Sequence, residues 1–346
     1  MSWGPGLPEE HTLAEQLGDD VAPVAQRCST LSRSYGEPLA GSAPRARAWL
    51  VLEQPGPYGF HAVTESHLPE RVRGALGALS KDSGTTVLLA RPVGRHADAH
   101  AETTSRRFWL AHVSPGGVRM RTGVLDDAEL LRPDLDDVLA AAASGQLPPW
   151  GTRTTDPLLL VCTNAKRDVC CAVQGRPLAD ALAADPAYSD RVVEVSHLGG
   201  HRFAPTALLL PTGHAFGRLD TASAKAVLDG AEAQVLGSLD HHRGRTSLPQ
   251  PAQAAEHAVR RAAGIADLDA LDALRRVGEQ VIPAGLRWVG EDGVADVEVR
   301  HRDGRAWQVV VRRVTQLPPR PESCGKTSFE GHAWIADAPV EIASWS

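Results

Sequence analysis

Three cysteines and two histidines in the middle of the sequence have the types and spacing of metal ligands. They are Cys162, Cys170, Cys171, His197 and His201. The cysteines lie within ten residues of one another, and the histidines flank two glycines in SHLGGH. Thiolates and imidazoles are the ligands that proteins use for zinc and for iron–sulfur clusters. The total of five cysteines is odd, which favours a metal centre over a disulfide framework.

Each of these groups follows a strand-like apolar run. PLLLV (157–161) leads into Cys162, and RVVEV (191–195) leads into the histidines. A helix is predicted between the runs at about 177–184, so the strands should be parallel and joined by a right-handed crossover. The carboxyl ends of such strands lie at one edge of a sheet. We therefore expect the cysteine and histidine segments to meet there, with the glycines allowing both imidazoles to turn to one centre.

The cysteine spacing helps to distinguish between kinds of metal site. Cys170 and Cys171 follow Cys162 by eight and nine residues. Structural zinc sites usually pair cysteines about two to four residues apart, whereas a two-iron cluster is wider and favours a longer loop. In a Rieske domain a histidine closely follows each cysteine, and here the two residue types are segregated. A two-iron cluster and a structural Cys2His2 zinc site both stay open on the residues alone.

The chain contains two copies of one pattern. Each copy runs strand, helix, strand, strand, strand, helix, first over 1–150 and again over 151–240. A parallel pair with a crossover helix, then a hairpin and a helix, is the thioredoxin-like plan. The expected fold class is therefore α/β (α+β) with two tandem thioredoxin-like domains. Aligning the copies places Arg91 and Arg95 over the two histidines, so the first copy is predicted to be degenerate and without ligands.

The remaining chain is predicted to form a linker and a small module. Residues 241–255 are polar and contain proline, which predicts a linker with His241 and His242 on its surface. Residues 256–346 are expected to form an α+β module that is helical to about residue 280, with strands and hairpins after it and an irregular end. The strand-like runs are LRWVG, VADVEVRH and AWQVVVRRV.

Composition and charge narrow the class of protein. The 346 residues are 42% hydrophobic and 23% charged, which is typical of a globular protein with two or three domains. The formal net charge of -6 gives no support for nucleic-acid binding. The start lacks the features of a signal peptide and no apolar run reaches the length of a membrane span, so a cytoplasmic protein is expected.

Cys28 and Cys324 are interpreted as buried or incidental thiols.

The motifs CTNAKRDVCC and SHLGGH resemble those of the sucrase/ferredoxin-like family, relatives of the thioredoxin-like ferredoxins. The resemblance covers most of the first 240 residues and includes EPLAG, EQPGPYG and PTGHAFGRL. In the family pattern Arg-Asp and two further residues precede a ligand cysteine. Arg167 and Asp168 therefore imply Cys171 as that ligand, and Cys170 stands where the family often has arginine. Arg167 could pair with Asp168, or Arg167 or Lys166 could face a redox partner.

The resemblance implies a [2Fe-2S] cluster and one-electron transfer. Its ligands would be Cys162, Cys171, His197 and His201, with Cys170 as the less favoured substitute for Cys171. Neutral imidazoles leave the cluster less negative than four thiolates would, so a raised and pH-dependent potential is expected. The expected partner is an unidentified redox protein or reductase. Binding to nucleic acid or to a membrane is not expected.

Other function classes compete with the electron carrier. A structural Cys2His2 zinc protein that serves interaction is the alternative. A thiol oxidoreductase is disfavoured because CxxC is missing after the first strand. Sucrase activity is not expected, since the sequence offers no convincing pair of catalytic carboxylates.

Overall fold

The structure is a computed structural model that describes residues 23–95, 104–277, 280–282, 290 and 293–342. Over these residues the chain is a mixed α/β protein with eight α-helices and two β-sheets, one of ten strands and one of six. The ten-stranded sheet is built from the two predicted repeats and the segment that follows them.

The elements up to residue 154 follow the predicted pattern, with a strand pair joined by helices and a second strand pair after it. They are α1 (Cys28–Ser34), β1 (Ala48–Glu53), α2 (Ala62–Glu65), α3 (Glu70–Gly77), β2 (Thr85–Arg91), β3 (Ser105–His112), β4 (Arg119–Asp126), α4 (Asp127–Leu130), α5 (Leu135–Ala143) and β5 (Thr152–Thr154). Strand β1 is buried along almost its whole length, as expected for the apolar run AWLVLE with both faces covered.

The second repeat uses the same order of elements. They are β6 (Leu158–Cys162), α6 (Val169–Ala183), β7 (Val192–Val195), β8 (Thr206–Leu210), β9 (His214–Gly217), α7 (Thr221–Glu232) and β10 (His242–Arg245). Helix α6 begins eight residues before the predicted 177–184, because Asp168 caps it by accepting a hydrogen bond from the backbone N–H of Cys170 at 2.8 Å. Cys170 and Cys171 therefore lie in the first turn of a helix rather than on a loop.

The rest of the chain forms the six-stranded sheet with one helix packed on it. The elements are α8 (Gln250–Ala263), β11 (Leu271–Val277), β12 (Gln280–Ile282), β13 (Val294–His301), β14 (Ala306–Arg320), β15 (Phe329–Ala336) and β16 (Val340–Ile342). Buried side chains of α8 and of three strands form one core, which includes Val259, Val297 and Trp307.

The segment 241–255 is not the irregular linker that was predicted. It contains β10, which pairs with β9, and the start of α8. His242, expected on the surface, is fully buried with Nε2 2.9 Å from Nδ1 of His214. Arg245 is also buried and pairs with Asp269 at 2.9 Å. These polar side chains can be buried because each has a hydrogen-bond or ion-pair partner. The prediction of a surface position used their polarity alone and was wrong.

Two predictions for the C-terminal module are wrong as well. The run LDALRRV, predicted as helix, is strand β11, because pairing with β12 and β13 outweighs its helix propensity. The last thirty residues are not irregular, since they include the end of β14 together with β15 and β16. The predicted strand LRWVG lies outside the described residues except for Gly290.

The two repeats build matching halves of the ten-stranded sheet, whose order is β10-β9-β8-β6-β7-β2-β1-β3-β4-β5. In one half β1 is parallel to β2 and antiparallel to β3. In the other half β6 is parallel to β7 and antiparallel to β8. The halves join where β2 and β7, the equivalent strands, pair in antiparallel fashion.

The register at this seam corrects the alignment of the repeats. Ala90 lies opposite Val195 and Arg91 opposite Glu194. Ala90 is also in register with Glu53, the last residue of β1, and Val195 with Cys162, the last residue of β6, so Ala90 and Val195 take equivalent places in the two repeats. Arg91 is therefore the equivalent of Ser196, one residue before the histidine over which the alignment predicted it.

A buried ion pair lies at the seam. Nε and Nη2 of Arg91 donate to Oε2 of Glu194 at 2.9 and 2.8 Å, and both side chains are almost inaccessible to solvent. The Thr163 hydroxyl also donates to this carboxylate at 2.7 Å, and Arg91 donates to the Gly56 carbonyl at 2.8 Å. Burial alone would raise the pKa of Glu194, but Arg91 and Thr163 lower it overall. The pair therefore holds the two halves in register as charged groups.

No helix in the described part of the chain is both long enough and apolar enough to cross a membrane.

We predict that Glu194→Gln lowers the free energy of unfolding by about 3–5 kcal/mol, because it leaves the Arg91 charge buried without a counterion. Urea unfolding followed by circular dichroism measures the loss. The matched control is Asp134→Asn, which removes an exposed partner of Arg132 and should change the free energy of unfolding far less. Equal losses in the two variants would contradict this prediction.

Candidate metal centre

Strands β6 and β7 end side by side at one edge of the ten-stranded sheet. Cys162, the last residue of β6, is in register with Val195, the last residue of β7. Cys162 Sγ lies 3.1 Å from the carbonyl oxygen of Ser196, the residue before His197. The parallel pair thus brings the cysteine and histidine segments together, as the strand-end argument predicts.

Helix α6 carries the second thiol to the same edge. A Cβ atom on Gly175 would lie 2.3 Å from the Cys162 carbonyl oxygen, so this position needs glycine for the helix to approach the end of β6 so closely. Cys171, in the first turn of α6, is fully buried and belongs to the same core cluster as Cys162.

The two thiols are joined by a hydrogen bond. A hydrogen bond from Cys171 lowers the pKa of the Cys162 thiol well below its usual value, and the neighbouring His197 ring and the Leu198 backbone N–H lower it further. The same hydrogen bond, together with burial, raises the pKa of Cys171. Metals bind the thiolate form of cysteine, so the lowered pKa of Cys162 favours a metal ligand at this position.

The histidine loop depends on two glycines in the left-handed backbone region. Gly199 has a φ of +78° and Gly200 a φ of +76°. Behind the loop, the buried Arg243 donates to the Gly199 carbonyl at 3.0 Å and to the Ser42 hydroxyl at 3.1 Å. Burial lowers the pKa of Arg243 to about 9, so its guanidinium stays charged at neutral pH.

The two imidazoles lie close together and near the thiols. The His197 and His201 rings are stacked, with centroids 4.7 Å apart and planes inclined by 23°. Nδ1 of His201 is 3.9 Å from Cys171 Sγ. Burial is the main cause of the lowered pKa of His201, which keeps the ring neutral, the state in which imidazole is a metal ligand. The structure thus brings together all four predicted ligands, which we call the Cys/His centre.

One nitrogen of this centre lacks a partner. Nδ1 of His197 is buried and forms no hydrogen bond with the described residues. An unpaired buried nitrogen is costly, and a bound metal would satisfy it. With two thiols and a second imidazole beside it, this donor set fits a zinc ion or the iron–sulfur cluster that the sequence motifs imply.

Cys170, the substitute ligand in the sequence analysis, lies in a different group. Its Sγ is 3.6 Å from Cys28 Sγ and 3.3 Å from Cys324 Sγ. Hydrogen bonds from these two thiols lower the pKa of Cys170 to about 2. Cys28, Cys170, Cys324 and the carboxylate of Asp168 place their donor atoms within 4.8 Å of one another. We call these four residues the second thiol group.

Sequence reasoning missed the second thiol group. Cys28 and Cys324 were interpreted as buried or incidental thiols, and Cys28 is almost fully buried, but it lies beside Cys170, which is 142 positions away in the chain. The odd number of cysteines indicated a metal centre, but it does not show which cysteines lie together in the fold. Asp168 was considered as an ion-pair partner of Arg167. Instead, Asp168 accepts hydrogen bonds from Ser323 and Cys324, and the Arg167 guanidinium lies 4.2 Å from the centre of the Phe60 ring.

Comparison with known proteins identifies one family. The model of the family described as sucrase/ferredoxin-like matches residues 26–244, which is more than half of the chain. The match includes the four residues of the Cys/His centre and ends before the six-stranded sheet. No curated protein and no solved structure matches the chain.

The two loop glycines give a matched pair of variants. An added Cβ would lie 2.3 Å from Arg243 Nη2 at Gly200, but would meet nothing within 4 Å at Gly199. We predict that Gly199→Ala costs about 1 kcal/mol of unfolding free energy from backbone strain alone. Gly200→Ala should cost clearly more, because the buried guanidinium must also move. Thermal unfolding of the two variants measures the difference, and equal shifts would contradict the role of Arg243.

Proposed function

Since this chain belongs to the sucrase/ferredoxin-like family, we propose that it is a one-electron carrier with a [2Fe-2S] cluster at the Cys/His centre. Cys162 and Cys171 would bind one iron, and His197 and His201 the other. The observation that carries the proposal is the unpaired, buried Nδ1 of His197 beside two hydrogen-bonded thiols. Such a cluster, when bound, takes up and releases a single electron.

The spread of the donors favours a two-iron cluster over a single ion at this centre. Among the described residues, the second thiol group brings at least three cysteine, histidine or acidic donor atoms within 4.8 Å of one another, and the Cys/His centre does not. The four donors of the Cys/His centre are spaced more widely than that. Such spacing fits a two-iron cluster, which is wider than one ion, better than a tetrahedral zinc site.

The residues around the centre favour electron uptake. The charged Arg243 lies behind the histidine loop, and the backbone N–H of Leu198 donates toward Cys162. Both stabilise negative charge on the sulfurs and on whatever they bind. These groups, with two neutral imidazoles, should raise the potential above that of a centre with four thiolates.

The centre has a buried side and a side near the surface. Cys162 and Cys171 are buried, while His197 and the two loop glycines are partly exposed. We infer that electrons enter and leave on the histidine side, where a redox protein or reductase could contact the loop. In this proposal the carrier is cytoplasmic, and no sucrase activity is expected.

We also propose that the repeats are tandem thioredoxin-like units, the first without ligands. The orders β2-β1-β3-β4 and β7-β6-β8-β9 support this, because equivalent strands take equivalent places. By the seam equivalence, Glu53 ends β1 where Cys162 ends β6, and Pro92 takes the place of His197. Neither side chain is a thiol or an imidazole.

We predict that the purified protein contains two irons and two acid-labile sulfides per chain. It should show a visible absorption band and, after dithionite reduction, an EPR signal. Cys162→Ser and His197→Ala should lose iron and colour, because each removes a ligand.

Cys324→Ser is the matched control and should keep the iron, since its thiol belongs to the second thiol group. A colourless wild-type protein, with zinc that is lost from Cys162→Ser, would replace the proposal with the Cys2His2 zinc alternative.

We further predict a reduction potential well above the roughly -400 mV of plant-type ferredoxins, measured by redox titration. The potential should fall as pH rises, because reduction favours protonation of the ligand imidazoles. A pH-independent value near -400 mV would exclude two histidine ligands.

A further inference from the structure

The second thiol group has the dimensions of an ion site. The Sγ atoms are 3.6 Å apart between Cys28 and Cys170, 3.3 Å between Cys170 and Cys324, and 3.7 Å between Cys28 and Cys324. Cys28 Sγ lies 3.8 and 3.7 Å from the two carboxylate oxygens of Asp168. Three sulfurs and a carboxylate therefore surround one point.

These distances match a tetrahedral zinc site. With Zn–S bonds of about 2.3 Å, tetrahedral geometry places two sulfurs about 3.8 Å apart, and a sulfur and a carboxylate oxygen about 3.5 Å apart. The observed separations between ligand atoms lie near both values. Four donors this close leave no room for a second metal ion between them, so the group fits a single ion rather than a cluster.

The surroundings of the group are those of bound thiolates. Cys170 lies in the first turn of α6, whose fifteen residues direct a positive dipole end toward it. The Ser29 hydroxyl donates to Cys170 Sγ at 3.2 Å and is itself held by Gln174 at 2.6 Å. The backbone N–H of Cys28 points at Cys324 Sγ from 3.4 Å. Such outer hydrogen bonds orient metal ligands and stabilise their charge.

Asp168 is fixed in place before any ion binds. Its Oδ2 accepts hydrogen bonds from the Ser323 hydroxyl at 2.7 Å and from the Cys324 backbone N–H at 2.8 Å. Its Oδ1 accepts one from the Cys170 N–H at 2.8 Å. The side chain is almost fully buried, so its negative charge favours a cation at this place.

We propose that Cys28, Cys170, Cys324 and Asp168 bind one zinc ion, in a site separate from the Cys/His centre. Thiolate-rich tetrahedral sites select zinc, and four protein ligands make the site closed and structural. Cys324 lies outside residues 26–244, so the site requires a part of the chain that the family model does not include. The ion joins α1, the start of α6 and the connection between β14 and β15.

Metal analysis of the full-length protein, purified under reducing conditions, tests this site. We expect one zinc ion per chain by inductively coupled plasma mass spectrometry. Cys324→Ser should lose the zinc and keep the iron of the Cys/His centre, while Cys162→Ser should lose the iron and keep the zinc. Zinc X-ray absorption of the wild type should give three sulfur neighbours at about 2.3 Å and one oxygen, a result that does not depend on any variant folding.

The outcomes separate this site from the proposed function. Zinc retained in Cys162→Ser supports the site even if the wild type holds no iron. Zinc that is lost from Cys162→Ser and kept in Cys324→Ser, or an absorption spectrum with two nitrogen neighbours, would assign the ion to the Cys/His centre and overturn the proposal. Absence of zinc, or a disulfide between Cys170 and Cys324 in the intact protein, would overturn it as well.

Discussion

Consecutive residues on an α-helix point about 100° apart, and this constraint separates Cys170 from Cys171. Because Asp168 begins α6 just before them, one thiol turns to Cys162 and the other to Cys28. On a flexible loop both could approach the same centre. The helix start therefore divides one cysteine pair between two groups of donors, and the rest of the structure supplies each group with its remaining members.

The Cys/His centre could be predicted from sequence because its geometry is local. Two apolar runs and one crossover bring Cys162 and the histidines to one sheet edge, whatever the rest of the fold does. The second thiol group depends on contacts across as many as 296 positions, between Cys28 and Cys324, and no sequence period encodes them. Strand β10 was missed for another reason, since its buried histidine and arginines are polar and only their partners account for the burial.

Charge connects the histidine loop to the distant end of the chain. Arg202 follows His201 directly and donates to Glu37 at 2.7 Å. The other oxygen of Glu37 accepts from Arg320, at the end of β14, at 3.0 Å. Glu37 and Arg320 are both buried, so their pairing holds the N-terminal segment between the loop and the six-stranded sheet. The position of the loop thus depends on residues beyond the family match.

The seam between β2 and β7 has the form of an isologous interface, in which equivalent surfaces meet about a two-fold axis. A homodimer of two separate repeats could form the same interface, but both copies would then have identical sequences. Joined in one chain, the halves are free to differ. One half can keep cysteine and histidine donors at its strand ends while the other keeps only the edge that completes the sheet, so a sheet with a nearly two-fold strand order carries the Cys/His centre on one half alone.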